Sequence, residues 1–98
     1  MSSAREEGAE KNIHVEISGS AETRYAARWT ITGRDGEQRQ FEETGEVPAS
    51  YAYSGDAIAG EVRVLSDSGR LEVEIRKSGN RSRSATQGKG SVIRIHVR

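Results

Sequence analysis

Two histidines are the first residues to consider for chemistry in this chain of 98 residues, which contains no cysteine. His14 and His96 each alternate with apolar neighbours, which places both imidazoles on the polar faces of predicted strands. They could share a metal ion only if the first and last strands were neighbours, and a structural zinc needs four ligands. No spacing of Asp or Glu marks the remaining ligands, so we expect surface histidines and no metal site.

Two further motifs, for hydrolysis and for phosphate binding, are incomplete. A serine hydrolase needs a histidine beside an exposed serine, and the Gly-x-Ser-x-Gly elbow is absent. Gly88-Lys89-Gly90-Ser91 is similar to a phosphate-binding loop, but that motif has glycine where Arg83 stands and a helix afterwards. The pattern favours a turn that leads into a strand. We therefore expect a protein that is not an enzyme, without catalytic residues or cofactors.

The charges of the chain balance overall but are unevenly placed. All 15 acids and 8 bases lie in residues 1–75, whereas residues 76–98 carry 7 bases and no acid. This basic segment is a candidate site for phosphate, nucleic acid or anionic lipid, with four residues in or beside its turns as predicted partner-binding residues: Lys77, Arg81, Arg83 and Lys89. The alternative is cross-strand pairing with Glu16, Glu72 or Glu74. Nucleic acid is disfavoured because the segment has no aromatic residue for stacking.

Two pairs of neighbouring side chains show how strand geometry limits what they can do. Glu42 and Glu43 are adjacent in a predicted strand, so they point to opposite faces and cannot act together as general acid and base. Both are expected to be solvated. Tyr51 and Tyr53 share one face with Ala49, where they could line either the core or a groove. We favour the core, because a buried tyrosine can extend its hydroxyl to the rim.

Apolar residues that recur with a period of two predict the elements that position these side chains. Val and Ile contribute 7 residues each and Leu only 2, which favours strands over helices. Trp29 is the best candidate for a core anchor, and the polar segment around Phe41 suits an edge strand. The predicted strands, separated by turns rich in Gly, Ser, Asp and Asn, cover residues 13–17, 25–32, 38–42, 49–53, 58–64, 71–76, 81–86 and 93–97.

Length and strand number predict one all-β domain. Residues 1–11 have no apolar period and are expected to form a disordered tail, and residues 12–98 a single domain. Seven or eight short strands with regular turns favour an antiparallel β-sandwich over a barrel. No apolar run reaches the roughly 20 residues of a membrane span, and residues 1–11 lack the apolar stretch of a signal peptide.

In this strand order the chain resembles the extracytoplasmic domain of the small mycobacterial membrane proteins, the MmpS family. The similarity lies in His14-Val15-Glu16-Ile17-Ser18-Gly19, Trp29-Thr30-Ile31-Thr32, Asp35-Gly36, Val47-Pro48-Ala49-Ser50, Ser66-Asp67-Ser68-Gly69 and the segment from Leu71 to Gly79. The family usually has a membrane anchor before this domain and often a cysteine near the position of Val73, and both are absent here. The resemblance implies an immunoglobulin-like sandwich without catalytic residues.

The resemblance also implies a function, namely an accessory to a membrane lipid exporter. We therefore expect an extracytoplasmic interaction module, anchored to a membrane in the full-length product, that recognises a protein or lipid partner through its sheet surface and loops. A cytoplasmic location stays open. The alternative function is anion binding through the basic segment, with nucleic acid or anionic lipid as the ligand. The two functions differ in how the binding affinity depends on salt, because each phosphate that the basic segment neutralises releases counterions.

Overall fold

The computed structural model describes residues 12–98, so the tail predicted for residues 1–11 lies outside the described residues. The described chain forms eight strands and no helix. The strands are β1 (Ile13–Gly19), β2 (Arg24–Thr32), β3 (Gln38–Glu46), β4 (Ala49–Tyr53), β5 (Ala57–Val64), β6 (Arg70–Lys77), β7 (Asn80–Gln87) and β8 (Val92–Val97). Within residues 12–98 there is consequently no helix with the length and hydropathy of a membrane span.

Two antiparallel four-stranded sheets pack face to face and form a β-sandwich, as the sequence predicts. One sheet has the strand order β4-β1-β6-β7 and the other β3-β2-β5-β8. Only the β2–β3 and β6–β7 connections are hairpins within a sheet, and the other five connections cross between the sheets. The two polar strands are also as predicted, since β3 lies at a sheet edge and the polar stretch after Gly79 forms β7.

Period-two alternation explains which side chains fill the space between the sheets. In β1, Ile13, Val15 and Ile17 are fully buried while His14 and Glu16 are exposed. The same alternation in β2, β5, β6 and β8 supplies the rest of the apolar core. β3, β4 and β7 contribute no fully buried residue, so the core is thick at the centre of the sandwich and thin along both sides.

Trp29 is the largest side chain of the core and is completely buried. Its neighbour across the β2–β5 pair is Gly60, which leaves room for the indole ring. A Cβ atom at Gly60 would lie 2.3 Å from Cε3 of Trp29 and 2.5 Å from the carbonyl oxygen of Arg28. The tryptophan and the glycine are therefore a matched pair, in which one residue needs the absence of a side chain on the other.

The four edge strands meet in two pairs, one on each side of the sandwich. On one side the chain leaves β3, turns through the cis peptide bond between Val47 and Pro48, and returns as β4 in the opposite sheet. On the other side β7 lies beside β8. Pro48 is compatible with its position between β3 and β4 because it precedes β4 and removes no donor from the ladder. These two sides carry the candidate functional residues.

Candidate functional site

The basic segment lies on the side of the sandwich that β7 and β8 form. Lys77 ends β6, Arg81 and Arg83 lie on β7, and Lys89 lies in the turn before β8. That turn is closed by a hydrogen bond from the Ser91 amide to the Gly88 carbonyl, 3.2 Å long, and a strand follows it. The sequence Gly88-Lys89-Gly90-Ser91 therefore lacks the helix that a phosphate-binding loop requires.

Acidic side chains of β6 lie directly beside the arginines of β7. Nε of Arg81 is 3.0 Å from Glu74, and Nε of Arg83 is 3.2 Å from Glu72. Arg83 also reaches Glu74 at 3.5 Å, so the four side chains form one network. The β6–β7 hairpin causes this arrangement, because its register places Glu74 opposite Arg83 and Glu72 opposite Ala85.

Two further bases of the segment also have acidic partners. Arg76 lies 3.7 Å from Glu16 on the neighbouring strand β1, and Nζ of Lys89 lies 3.3 Å from Asp67 in the β5–β6 turn. The cross-strand pairing that the sequence allowed as an alternative is thus present in the structure. Anion binding by Lys77, Arg81, Arg83 and Lys89 stays a prediction, and the pairing lowers the positive potential that such binding would use.

The two histidines lie far from any shared site. His14 is on the outer face of the sheet that contains β1, and His96 is on the outer face of the opposite sheet in β8. Both side chains are exposed. Since the first and last strands belong to different sheets, the condition for a shared metal is not met. Within residues 12–98, no three or more His, Asp or Glu side chains come together as metal ligands.

The opposite side of the sandwich carries a different set of side chains, which we call the aromatic edge: Phe41 and Glu43 of β3 with Tyr51 and Tyr53 of β4. All four are half-buried, and the three aromatic residues pack against the core. The rings of Phe41 and Tyr53 meet across the gap between the sheets, with centroids 4.9 Å apart. Tyr51 and Tyr53 lie along β4 with ring centroids 6.4 Å apart and nearly parallel planes.

Tyr51 and Tyr53 were predicted to line either the core or a groove, and in the structure they are only partly in the core. Their rings pack on the core, yet both residues keep part of their surface open at the side of the sandwich. The hydroxyl of Tyr51 forms a short hydrogen bond of 2.5 Å with the hydroxyl of the buried Tyr25 on β2. The Tyr53 hydroxyl oxygen is buried and has no hydrogen-bond partner among the described residues.

Glu43 is the one charged member of the aromatic edge. It lies between Phe41 and Gly45 on the face of β3 that looks toward the other sheet, opposite Ala27 of β2. The Tyr25 hydroxyl lies 3.2 Å from the point where a Cβ of Gly45 would stand. The glutamate is therefore placed between the Phe41–Tyr53 ring pair on one side and the Tyr25–Tyr51 hydroxyl pair on the other.

Burial and the Glu43 carboxylate raise the pKa values of two tyrosines, Tyr53 and Tyr25. Burial is the main cause that raises the pKa of Tyr53 to about 12, and the Glu43 carboxylate and the neighbouring Tyr51 raise it further. Burial also raises the pKa of Tyr25, with further contributions from its hydrogen bond to Tyr51 and from Glu43. Both tyrosines are thus neutral in the fold at neutral pH, and the hydroxyl of Tyr25 shares a hydrogen bond with that of Tyr51.

Sequence reasoning found the tyrosines of this edge but not the glutamate or the phenylalanine as site residues. Glu42 and Glu43 do point to opposite faces, as predicted, but only Glu42 is largely exposed, where it pairs with Arg28 at 3.4 Å. The signal for Glu43 was its spacing of two from Phe41 and from Gly45, which puts a charge on the inward face of an edge strand.

The outer face of the β3-β2-β5-β8 sheet is the third candidate surface, because it carries a shallow depression. The depression is lined by small residues, among them Ala26 and Thr44, and by charged residues of β2, β3 and β5. One cross-strand row of this face reads Glu42, Arg28, Glu61 and Arg94. Because the signs alternate along the row, neighbouring charges balance one another.

Comparison with known proteins gives no relative of this chain. No protein-family model, no curated protein and no solved structure matches it.

Proposed function

We propose that this domain is a non-catalytic interaction module that binds a protein partner through the aromatic edge. The observation that carries the proposal is the placement of Phe41, Tyr51 and Tyr53, half-buried, where the free edges of both sheets meet. Aromatic residues are enriched at protein interfaces because they offer large contact areas at a small cost in side-chain entropy. Free strand edges add backbone donors and acceptors that a partner can use.

The other two surfaces support binding less well. The outer faces of both sheets carry ion pairs, such as Arg81 with Glu74 and Arg28 with Glu42. A ligand would have to replace these contacts before it gained its own. Among the large apolar residues of 12–98, only Leu65 is exposed, so neither outer face offers an apolar patch.

We further propose an extracytoplasmic setting, in which the domain is an accessory of a membrane exporter of lipids and is anchored in its full-length form. The support is the resemblance to the MmpS family in the strands that contain Ile17, Trp29 and Ile75 and in the Val47-Pro48 turn. A membrane-associated protein partner, or a lipid presented by it, would then meet the aromatic edge.

Site-specific photo-crosslinking in the source cells tests the proposal. A benzophenone amino acid replaces Phe41, and a matched variant carries it at Ser84, on β7 at the other side of the sandwich. We expect one dominant adduct with a membrane-associated protein from the Phe41 position and none from the Ser84 position. Equal labelling from both positions, or adducts only from Ser84, would contradict the proposal.

Anion binding through the basic segment is the second candidate, and one observation favours it. Lys77 has no acidic partner among residues 12–98, unlike Arg81, Arg83 and Lys89. Titration with duplex DNA and with anionic vesicles at low salt tests this function. It requires affinity that falls with salt and that decreases when Arg81 and Arg83 are changed to alanine. The paired network predicts weak binding or none.

A further inference from the structure

The chemistry of the aromatic edge specifies the partner more closely, and this inference rests on the proposed function. β3 is paired with β2 along its whole length, Gln38–Glu46, and no other strand of residues 12–98 pairs with it. Nine residues are long for an edge strand, and each alternate residue presents a free backbone donor and acceptor. An extended chain segment could therefore add to the sheet beside β3.

A strand added at this edge would bring alternate side chains to the gap between the sheets. Those side chains would meet the residues on the inward-facing side of β3, which are Arg39, Phe41, Glu43 and Gly45. On the β4 side of the gap they would meet Tyr51 and Tyr53. The gap thus offers a carboxylate beside three aromatic rings, which is the combination that binds ammonium and guanidinium groups in proteins.

Glu43 has no positively charged partner within the described chain. Among residues 12–98, the ion pair that involves β3 is the one between Arg28 and Glu42, and Glu42 points to the opposite face of the strand from Glu43. A half-buried carboxylate beside apolar rings loses part of its hydration. The charge of a bound cation would offset that loss. The charge of the edge acts in the same direction, because residues 37–46 contain four acids and one base.

We propose that the aromatic edge binds an extended segment of a partner protein, paired with β3, whose arginine or lysine side chain enters the gap. There the cationic group pairs with the Glu43 carboxylate and lies against the rings of Tyr51 and Tyr53. Backbone pairing with β3 supplies affinity, and the cationic side chain supplies specificity and register.

An inward charge on an edge strand has a second known use, which is to prevent edge-to-edge aggregation. Under that role Glu43 would reject an added strand of any composition. The two roles predict opposite results with a cationic peptide, so a binding experiment separates them.

The test uses two peptides and two variants of the domain. The peptides are acetylated and amidated Thr-Val-Thr-Arg-Thr-Val-Thr and the same sequence with citrulline in place of arginine, which removes the charge and keeps the shape. The variants are Glu43→Gln and its matched control Glu42→Gln, which makes the same change on the opposite face of the same strand. Amide chemical shifts in NMR titrations report both the affinity and the residues involved, and shifts away from β3 report that each variant is folded.

We expect the arginine peptide to shift amides of residues 38–46 and to bind about tenfold more tightly than the citrulline peptide. Glu43→Gln should remove that tenfold preference, and Glu42→Gln should keep it. Equal binding of the two peptides, an unchanged preference in Glu43→Gln, or shifts that map to β7 would overturn the proposal. So would the absence of any binding, which supports edge protection alone. Photo-crosslinking from Phe41 could still succeed in each of these cases, so failure of this inference is distinguishable from failure of the proposed function.

Discussion

The two sides of the sandwich have the same architecture and opposite chemistry. Each side consists of two edge strands, one from each sheet. At β7 the inward positions hold Ser82, Ser84 and Thr86, and the outward arginines are paired with acids of β6. At the aromatic edge the inward positions hold aromatic rings and Glu43, which has no cationic partner among residues 12–98.

This difference shows that a run of like charges in sequence is a poor guide to a surface. Residues 76–98 carry 7 bases and no acid, yet the hairpin places Glu72 and Glu74 beside the arginines. At the aromatic edge the fold places one carboxylate, that of Glu43, among tyrosines. An unsatisfied group in a half-buried position indicates binding better than the number of charges does.

Removal of the Trp29 indole, which lies beneath the aromatic edge, should have the largest effect on the free energy of unfolding. Trp29 is fully buried and lies opposite Phe41 in the β2–β3 register. Trp29→Ala should reduce the free energy of unfolding by about 3–5 kcal/mol, because it leaves a large cavity. Ile95→Val, on the strand next to β7, should reduce it by about 0.5–1.5 kcal/mol. Urea unfolding measures both, and equal losses would contradict the role of Trp29 as the main anchor of the core.

The strand pattern was predictable from the sequence, because inward and outward residues alternate wherever one face is buried. Ile13, Val15 and Ile17 show this, as does Trp29 at the centre of β2. The position of Glu43 among tyrosines was not predictable. It depends on the meeting of β3 with β4 across two sheets and on the Tyr25–Tyr51 contact, and both are set by long-range register that alternation does not encode.

Two half-buried glutamates, one on each side, should respond to neutralisation in opposite ways. The Glu74 side chain is 16% exposed and lies between Arg81 and Arg83. Glu74→Gln should therefore lower the free energy of unfolding by about 1 kcal/mol. Glu43→Gln removes a carboxylate that has no cationic partner among residues 12–98, and it should raise the free energy of unfolding by about 0.5 kcal/mol. Thermal unfolding of both variants at neutral pH gives the comparison, and destabilisation by Glu43→Gln would contradict the account of the aromatic edge.

Alkaline pH should weaken the aromatic side first. The folded pKa of Tyr53 is about 12 against 10.0 for a free tyrosine, and that of Tyr25 is raised as well. Since the fold favours the neutral form, this stabilisation is complete below pH 10 and is lost as the pH rises through the folded pKa values. Absorbance of the tyrosinate ion should thus appear at higher pH in the folded than in the unfolded protein, and at lower pH in Glu43→Gln than in the native sequence.

Paramagnetic relaxation with two small nitroxides of equal size and opposite charge tests the central claim most directly. The cationic probe should broaden the amides of β3 and β4 more than the anionic probe does, because Glu43 and the rings attract cations. The amides of β7 should respond equally to both probes, because Glu72 and Glu74 neutralise the arginines. Concentration of the anionic probe at β7, with no preference for the cationic probe at β3, would contradict the account.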